Sequence, residues 1–154
     1  MKLRSVFLIL LLLCLAASPA LAEKSAVNTG FVGDVAVEGA DMVAYFTQGK
    51  HVEGTWEFSL PWNGADWRFS SAENLRLFKE NPEKFAPQYG GYCAYAVAQG
   101  SVASDSASID PRAWSIVEGR LYLNNSKSVR EIWLKDAQSY IKQADRNWPG
   151  VLER

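Results

Sequence analysis

WEFSLPWNGADWRFSSAENLRLF, residues 56–78, is the stretch from which the fold can be read. Trp56, Phe58 and Leu60 alternate with polar positions, and Ala65, Trp67 and Phe69 do the same on the far side of Pro61-Trp62-Asn63-Gly64. A period of two on both sides of an Asn-Gly turn predicts a hairpin with one face buried and with Asp66 and Arg68 toward water. Ser70-Ser71-Ala72-Glu73 follows at once. It reads as a capping box in which Ser70 caps a helix and Glu73 reaches back, with Leu75 and Phe78 pointing inward. A hairpin that delivers the chain straight into an amphipathic helix is the signature of an α+β domain.

The same logic extends in both directions. Downstream, Asn81-Pro82 restarts a helical turn with Asn81 as cap and Pro82 at the first helical position, and Phe85 enters the core. Gly90-Gly91 breaks the chain, and Tyr92 to Ala98 form a short helix. Residues 100–109, rich in Ser and Ala, read as a mobile surface loop. Trp114 to Val117 and Leu121 to Leu123 form a second hairpin across Glu118-Gly119. Val129, Ile132, Trp133, Ala137, Tyr140, Ile141 and Ala144 keep helical spacing behind a capping box of Ser128 and Glu131, and the helix stops near Trp148-Pro149-Gly150. Upstream, Asp41 caps a short helix through Phe46, Val35 and Val37 allow a short strand, and residues 23–29 form a frayed leader. The expected fold is thus α+β, a small antiparallel sheet of two hairpins packed by short helices and one long C-terminal helix. No internal repeat is visible.

The first 22 residues have a different character. Lys2 and Arg4 precede an apolar run over 5–15, and Ser18, Pro19 and Ala20-Leu21-Ala22 give a small-residue cleavage pattern. This is a secretory signal peptide, cut after Ala22, and it implies a periplasmic destination for a single domain over 23–154. Cleavage removes Cys14, so Cys93 has no second cysteine to pair with, and apolar burial must hold the fold. A net charge of −1 with both signs interspersed excludes a nucleic-acid footprint or a polybasic membrane patch, and no stable membrane insertion is expected.

Phe69-Ser70-Ser71-Ala72-Glu73-Asn74, with Phe78-Lys79-Glu80-Asn81-Pro82-Glu83-Lys84-Phe85, resembles the YHS domain pattern. Asp41 to Lys50, Tyr89-Gly90-Gly91-Tyr92-Cys93-Ala94-Tyr95-Ala96 and Asn147-Trp148-Pro149 resemble exported bacterial YHS-domain proteins in particular. Metal-binding YHS and TRASH modules place cysteines after the hairpin aromatic, again four residues on, and near the first helix. Here those places hold Ser70, Asn74 and Ala44. The resemblance therefore implies the fold without the cysteine knuckle, since hydroxyl, amide and methyl groups cannot replace thiolate ligands.

Cys93 among Tyr89, Tyr92 and Tyr95 is the sharpest candidate site. A free cysteine is often an inert, well-packed hydrophobe. Functionally, it could contact a small molecule in a pocket lined by those tyrosines and Tyr45, or bind copper or another soft metal ion with His51 and Met42. No nucleophile elbow, phosphate loop, zinc-protease helix or dinucleotide fingerprint is present, which argues against an enzyme. The expected function is an exported, non-enzymatic binding protein for a metal ion or small molecule. The alternatives are a thiol-dependent enzyme or redox partner using Cys93, and a structural accessory that docks onto a membrane complex; a protein partner in the periplasm is a further candidate.

Overall fold

A computed structural model describes residues 24–30, 33–102 and 108–153. The signal peptide expected over 1–22 and the middle of the expected surface loop, 103–107, lie outside the described residues. The architecture is α+β: two two-stranded antiparallel sheets flanked by short helices, with a longer helix near the C-terminus.

In chain order the elements are α1 (Met42–Thr47), β1 (Thr55–Trp62), β2 (Ala65–Phe69), α2 (Ala72–Glu80), α3 (Pro82–Phe85), α4 (Ala94–Ala98), β3 (Asp110–Val117), β4 (Arg120–Asn124), α5 (Lys127–Leu134) and α6 (Ala137–Asn147). The two expected hairpins form. β1 pairs with β2 across Asn63-Gly64, and β3 with β4 across Glu118-Gly119. Both residues of each turn have positive φ, the two-residue geometry whose twist matches the strands. Each hairpin carries a bulge in its first strand, between Thr55 and Ser59 and between Asp110 and Trp114.

The structure repeats itself in geometry, although the sequence shows no internal repeat. Each hairpin has an eight-residue strand followed by a five-residue strand. Each then enters a helix through a serine cap, Ser71 accepting from Asn74 N (3.1 Å) and Ser126 from Val129 N (3.2 Å). Each helix ends where a second cap, Asn81 or Asp136, starts the next one. Before each hairpin runs a tight left-handed turn, Ala36–Gly39 or Gln88–Gly91, leading into α1 or α4.

The two units are stacked. Leu121 and Leu123 on one face of β4 join the core of the first unit with Met42, Tyr45, Phe69 and Phe85. Tyr122 on the other face packs with Trp133, Ile141 and Ala144 beneath α4 to α6. The second sheet is therefore covered on both faces, and that of the first unit on one.

Four local expectations need correction. Ser71, not Ser70, caps α2, because Ser70 is drawn away to Asp41. Val35 and Val37 do not form a strand. Val35 makes a single parallel bridge to Asp66, and Val37 and Glu38 take left-handed torsions. The C-terminal helix is two helices. α5 begins at the Ser126 cap as soon as β4 ends, rather than at Ser128, and the chain breaks at Asp136, which caps α6. Residues 24–28 are not frayed: Asn28 N donates to Gly90 O (2.9 Å), Lys24 N to Leu152 O (3.3 Å), and Val27 is buried.

Candidate functional site

Two caps dominate the chemistry of the molecule, one at the start of α1 and one at the start of α4. Asp41 is fully buried. Its Oδ1 accepts from Val43 N (3.0 Å) and Ala44 N (3.2 Å), the expected capping bonds. Its Oδ2 accepts from Ser70 N (2.8 Å), Ser70 Oγ (2.6 Å) and Asn74 Nδ2 (2.7 Å). Five donors replace the water that burial removes, as a buried polar group requires. Ala44, Ser70 and Asn74, the positions of the cysteines in metal-binding modules, are all donors to this carboxylate. A hydrogen-bonded knot thus ties α1, β2 and α2 together where those modules hold a metal. Among the described residues, no three His, Cys, Asp or Glu side chains are grouped to hold a metal ion.

Cys93 stands at the second of these N-cap positions, accepts no side-chain capping bond, and is buried. Its thiol donates to Asn124 Oδ1 (3.7 Å), which also accepts from Tyr95 N (3.2 Å). Burial pushes the thiol pKa up, and backbone N–H groups of Ala96, Asn125 and Tyr95 work against that rise.

The three neighbouring tyrosines diverge from the sulfur. Tyr89 donates to Asp145 Oδ1 (2.8 Å), and Tyr92 to Ser25 O (2.9 Å). Both rings lie against Trp148, with centroids 5.9 and 6.0 Å away. Tyr95 meets Tyr140 edge-on at 5.2 Å and touches the cores of both units. Burial raises the pKa of Tyr89 and Tyr92 above the ordinary phenol value.

Tyr45 belongs to a different place, the contact between units. It donates to Pro111 O (2.7 Å), its ring lies 5.2 Å from that of Trp114, and burial drives its pKa well up. His51 sits beside it, with Nδ1 3.2 Å from the Tyr45 hydroxyl and Nε2 2.9 Å from Glu53 Oε1. Both imidazole nitrogens are committed, and neither is turned to Cys93. Met42 is sealed in the first core, where Cys93 also lies. The expected set of Cys93, His51 and Met42 is therefore not assembled as a copper site, because the histidine is spent on Tyr45 and Glu53.

The reading of the sequence missed Tyr122, Asn124 and Trp133. All three are fully buried, and among the described residues Tyr122 Oη, Asn124 Nδ2 and Trp133 Nε1 have no hydrogen-bond partner. The sequence holds one hint, that Leu121-Tyr122-Leu123-Asn124 lacks the alternation of a strand with a wet face.

An α+β unit built of an aromatic hairpin, a capped helix and an Asn-Pro turn defines a YHS-like domain, and residues 43–89 match the YHS domain family. That match contains no cysteine and ends within the second left-handed turn, so it covers the first unit. No curated protein and no solved structure matches the chain. Among the described residues, no helix is long and apolar enough to cross a membrane.

Proposed function

We propose that the chain is an exported, non-catalytic binding protein that captures a small molecule in its second unit, close to Cys93, Tyr89, Tyr92 and Tyr95. One observation carries this reading: Asn124, hydrogen-bonded to the Cys93 thiol, keeps a fully buried amide Nδ2 without a partner. A buried donor left unmatched costs about 1–3 kcal/mol, and an occupant bearing an acceptor would recover it. What stands unmatched is a donor rather than a lone pair, which favours such a molecule over a metal cation. The commitment of His51 to Tyr45 and Glu53 leaves Cys93 without a base, so capture fits better than thiol catalysis. Export to the periplasm rests on the Lys2/Arg4 start, the apolar run and the Ala20-Leu21-Ala22 pattern.

The test is native mass spectrometry and elemental analysis of the protein recovered from the periplasm of an exporting host. The expected result is a chain beginning at Glu23 that carries a small organic molecule and no stoichiometric metal. A chain that begins at Met1, or one that carries neither molecule nor metal, would overturn the reading. Stoichiometric copper lost on Cys93→Ser would replace the small molecule with the metal.

A further inference from the structure

We propose that the core of the second unit binds a small carboxylate, held by Asn124 Nδ2, Trp133 Nε1 and the Tyr122 hydroxyl. This rests on the binding reading above and gives its site a ligand class and further residues.

The first unit is an internal standard for the second. The left-handed turn of the first has φ of 50°, 55° and 82° at Val37, Glu38 and Gly39. That of the second has 56°, 60° and 84° at Tyr89, Gly90 and Gly91. An extended residue follows each, Ala40 or Tyr92, and then the cap. Asp41 and Cys93 therefore stand at equivalent positions, each the N-cap of the helix that follows. Val43 N, Ala44 N and Ser70 N donate to the Asp41 carboxylate, whereas Cys93 accepts no side-chain capping bond and Tyr95 N donates to Asn124 Oδ1 instead. At this position two carboxylate oxygens have become one sulfur, a weak acceptor.

The core behind each cap changes in the same sense. Trp67 and Phe78 stack at 5.2 Å, and Phe69 lies 5.0 Å from Phe78. The one polar atom of that trio, Trp67 Nε1, donates to Trp62 O (2.9 Å). In the second unit Tyr122, Asn124 and Trp133 stand at these places, and Tyr122 and Trp133 lie 5.0 Å apart. Each brings a polar atom to a position filled by hydrocarbon or a satisfied indole in the first unit, and each is unmatched. The orientation of the Asn124 amide is fixed, because Tyr95 N–H needs Oδ1 where it is. Asn124 and Tyr122 are also smaller than Phe69 and Trp67.

The second unit thus has more donors than acceptors, and the first shows what balances such a set. Five hydrogen-bond donors hold the Asp41 carboxylate. A carboxylate from outside would bring two oxygens with about four lone-pair sites to Asn124, Trp133 and Tyr122.

The test follows side-chain N–H signals of the isotope-labelled exported chain by NMR during addition of sodium acetate, with sodium chloride at matched ionic strength as control. The Trp133 indole and Asn124 amide signals should shift saturably with acetate alone, while the Trp67 indole signal stays fixed. Asn124→Leu should weaken the Trp133 response at least about tenfold, the worth of one hydrogen bond of about 1.4 kcal/mol. Trp133→Phe, which copies Phe78, should abolish the Asn124 response while the chain stays folded. Signals that ignore acetate, follow chloride equally, or report only a buried water would overturn the proposal. So would acetate binding that survives both substitutions. If acetate fails while an organic molecule still copurifies, the carboxylate site falls and the binding reading stands. If both fail, both fall.

Discussion

Asp41 and Cys93 occupy one structural role with different chemistry, and the difference sets what each substitution should do. Asp41→Ala removes a helix cap and strands the Ser70 and Asn74 donors in the core. It should cost about 2–4 kcal/mol in urea denaturation, at the upper end for a lost cap plus unmatched buried donors. Cys93 is 1% exposed, so a thiol reagent should modify it only after unfolding; prompt modification of the native protein would contradict the burial. At this scale the sequence was partly legible. Asp41 and Asn81 could be recognised as caps because Asp and Asn before a helical run have few other uses. Ser70 could not be told from Ser71, since two adjacent serines offer the same hydroxyl and only the buried carboxylate 29 positions earlier decides which one it takes. Tyr122, Asn124 and Trp133 were invisible as a group, because two lie on a strand and the third on the next helix.

Elements were more legible than single residues. The first hairpin follows from alternation, and both follow from apolar runs on either side of a two-residue turn containing glycine. The left-handed turn at Val37 was hidden, because a β-branched residue at positive φ is a position that propensity argues against. Its twin contains Gly90, whose φ is +60° and whose added Cβ would lie 1.9 Å from Ala26 O. Gly90→Ala should therefore displace residues 24–28, lower stability by about 2 kcal/mol or more, and open this segment to proteolysis. Gly119→Ala has positive φ but open space around it, so its cost should stay near 1 kcal/mol and leave proteolysis unchanged. The C-terminal stripe was legible as apolar spacing, but the spacing continues through the break. α5 turns Trp133 under β4, while α6 packs along α4, and helical period alone cannot show that a stripe serves two neighbours.

At the scale of the whole molecule, two stacked units explain why the family match spans residues 43–89 and no more. The second unit keeps the caps, turns and strand lengths of the first but few of its residues, so a repeat of geometry leaves no repeat of letters. The stack also predicts alkaline sensitivity. Burial raises the pKa of Cys93 and of Tyr45, Tyr89, Tyr92 and Tyr122, so the folded state holds these protons more tightly than the unfolded chain does. Their contribution is complete below the ordinary thiol value of 9.0 and is lost as pH rises past it and past the phenol value of 10.0. Unfolding free energy measured by urea titration should therefore fall from pH 9 upward and more steeply above 10. Cys93→Ala should remove the earlier part of the fall and leave the later part.

Lys24 lies against Leu152, one hydrogen bond apart. In a polypeptide trimmed to residues 24–152, a short linker could join these two residues into a ring without disturbing either unit. The ring could then be cut at the exposed Asn63-Gly64 tip to give a reordered polypeptide with the same interior.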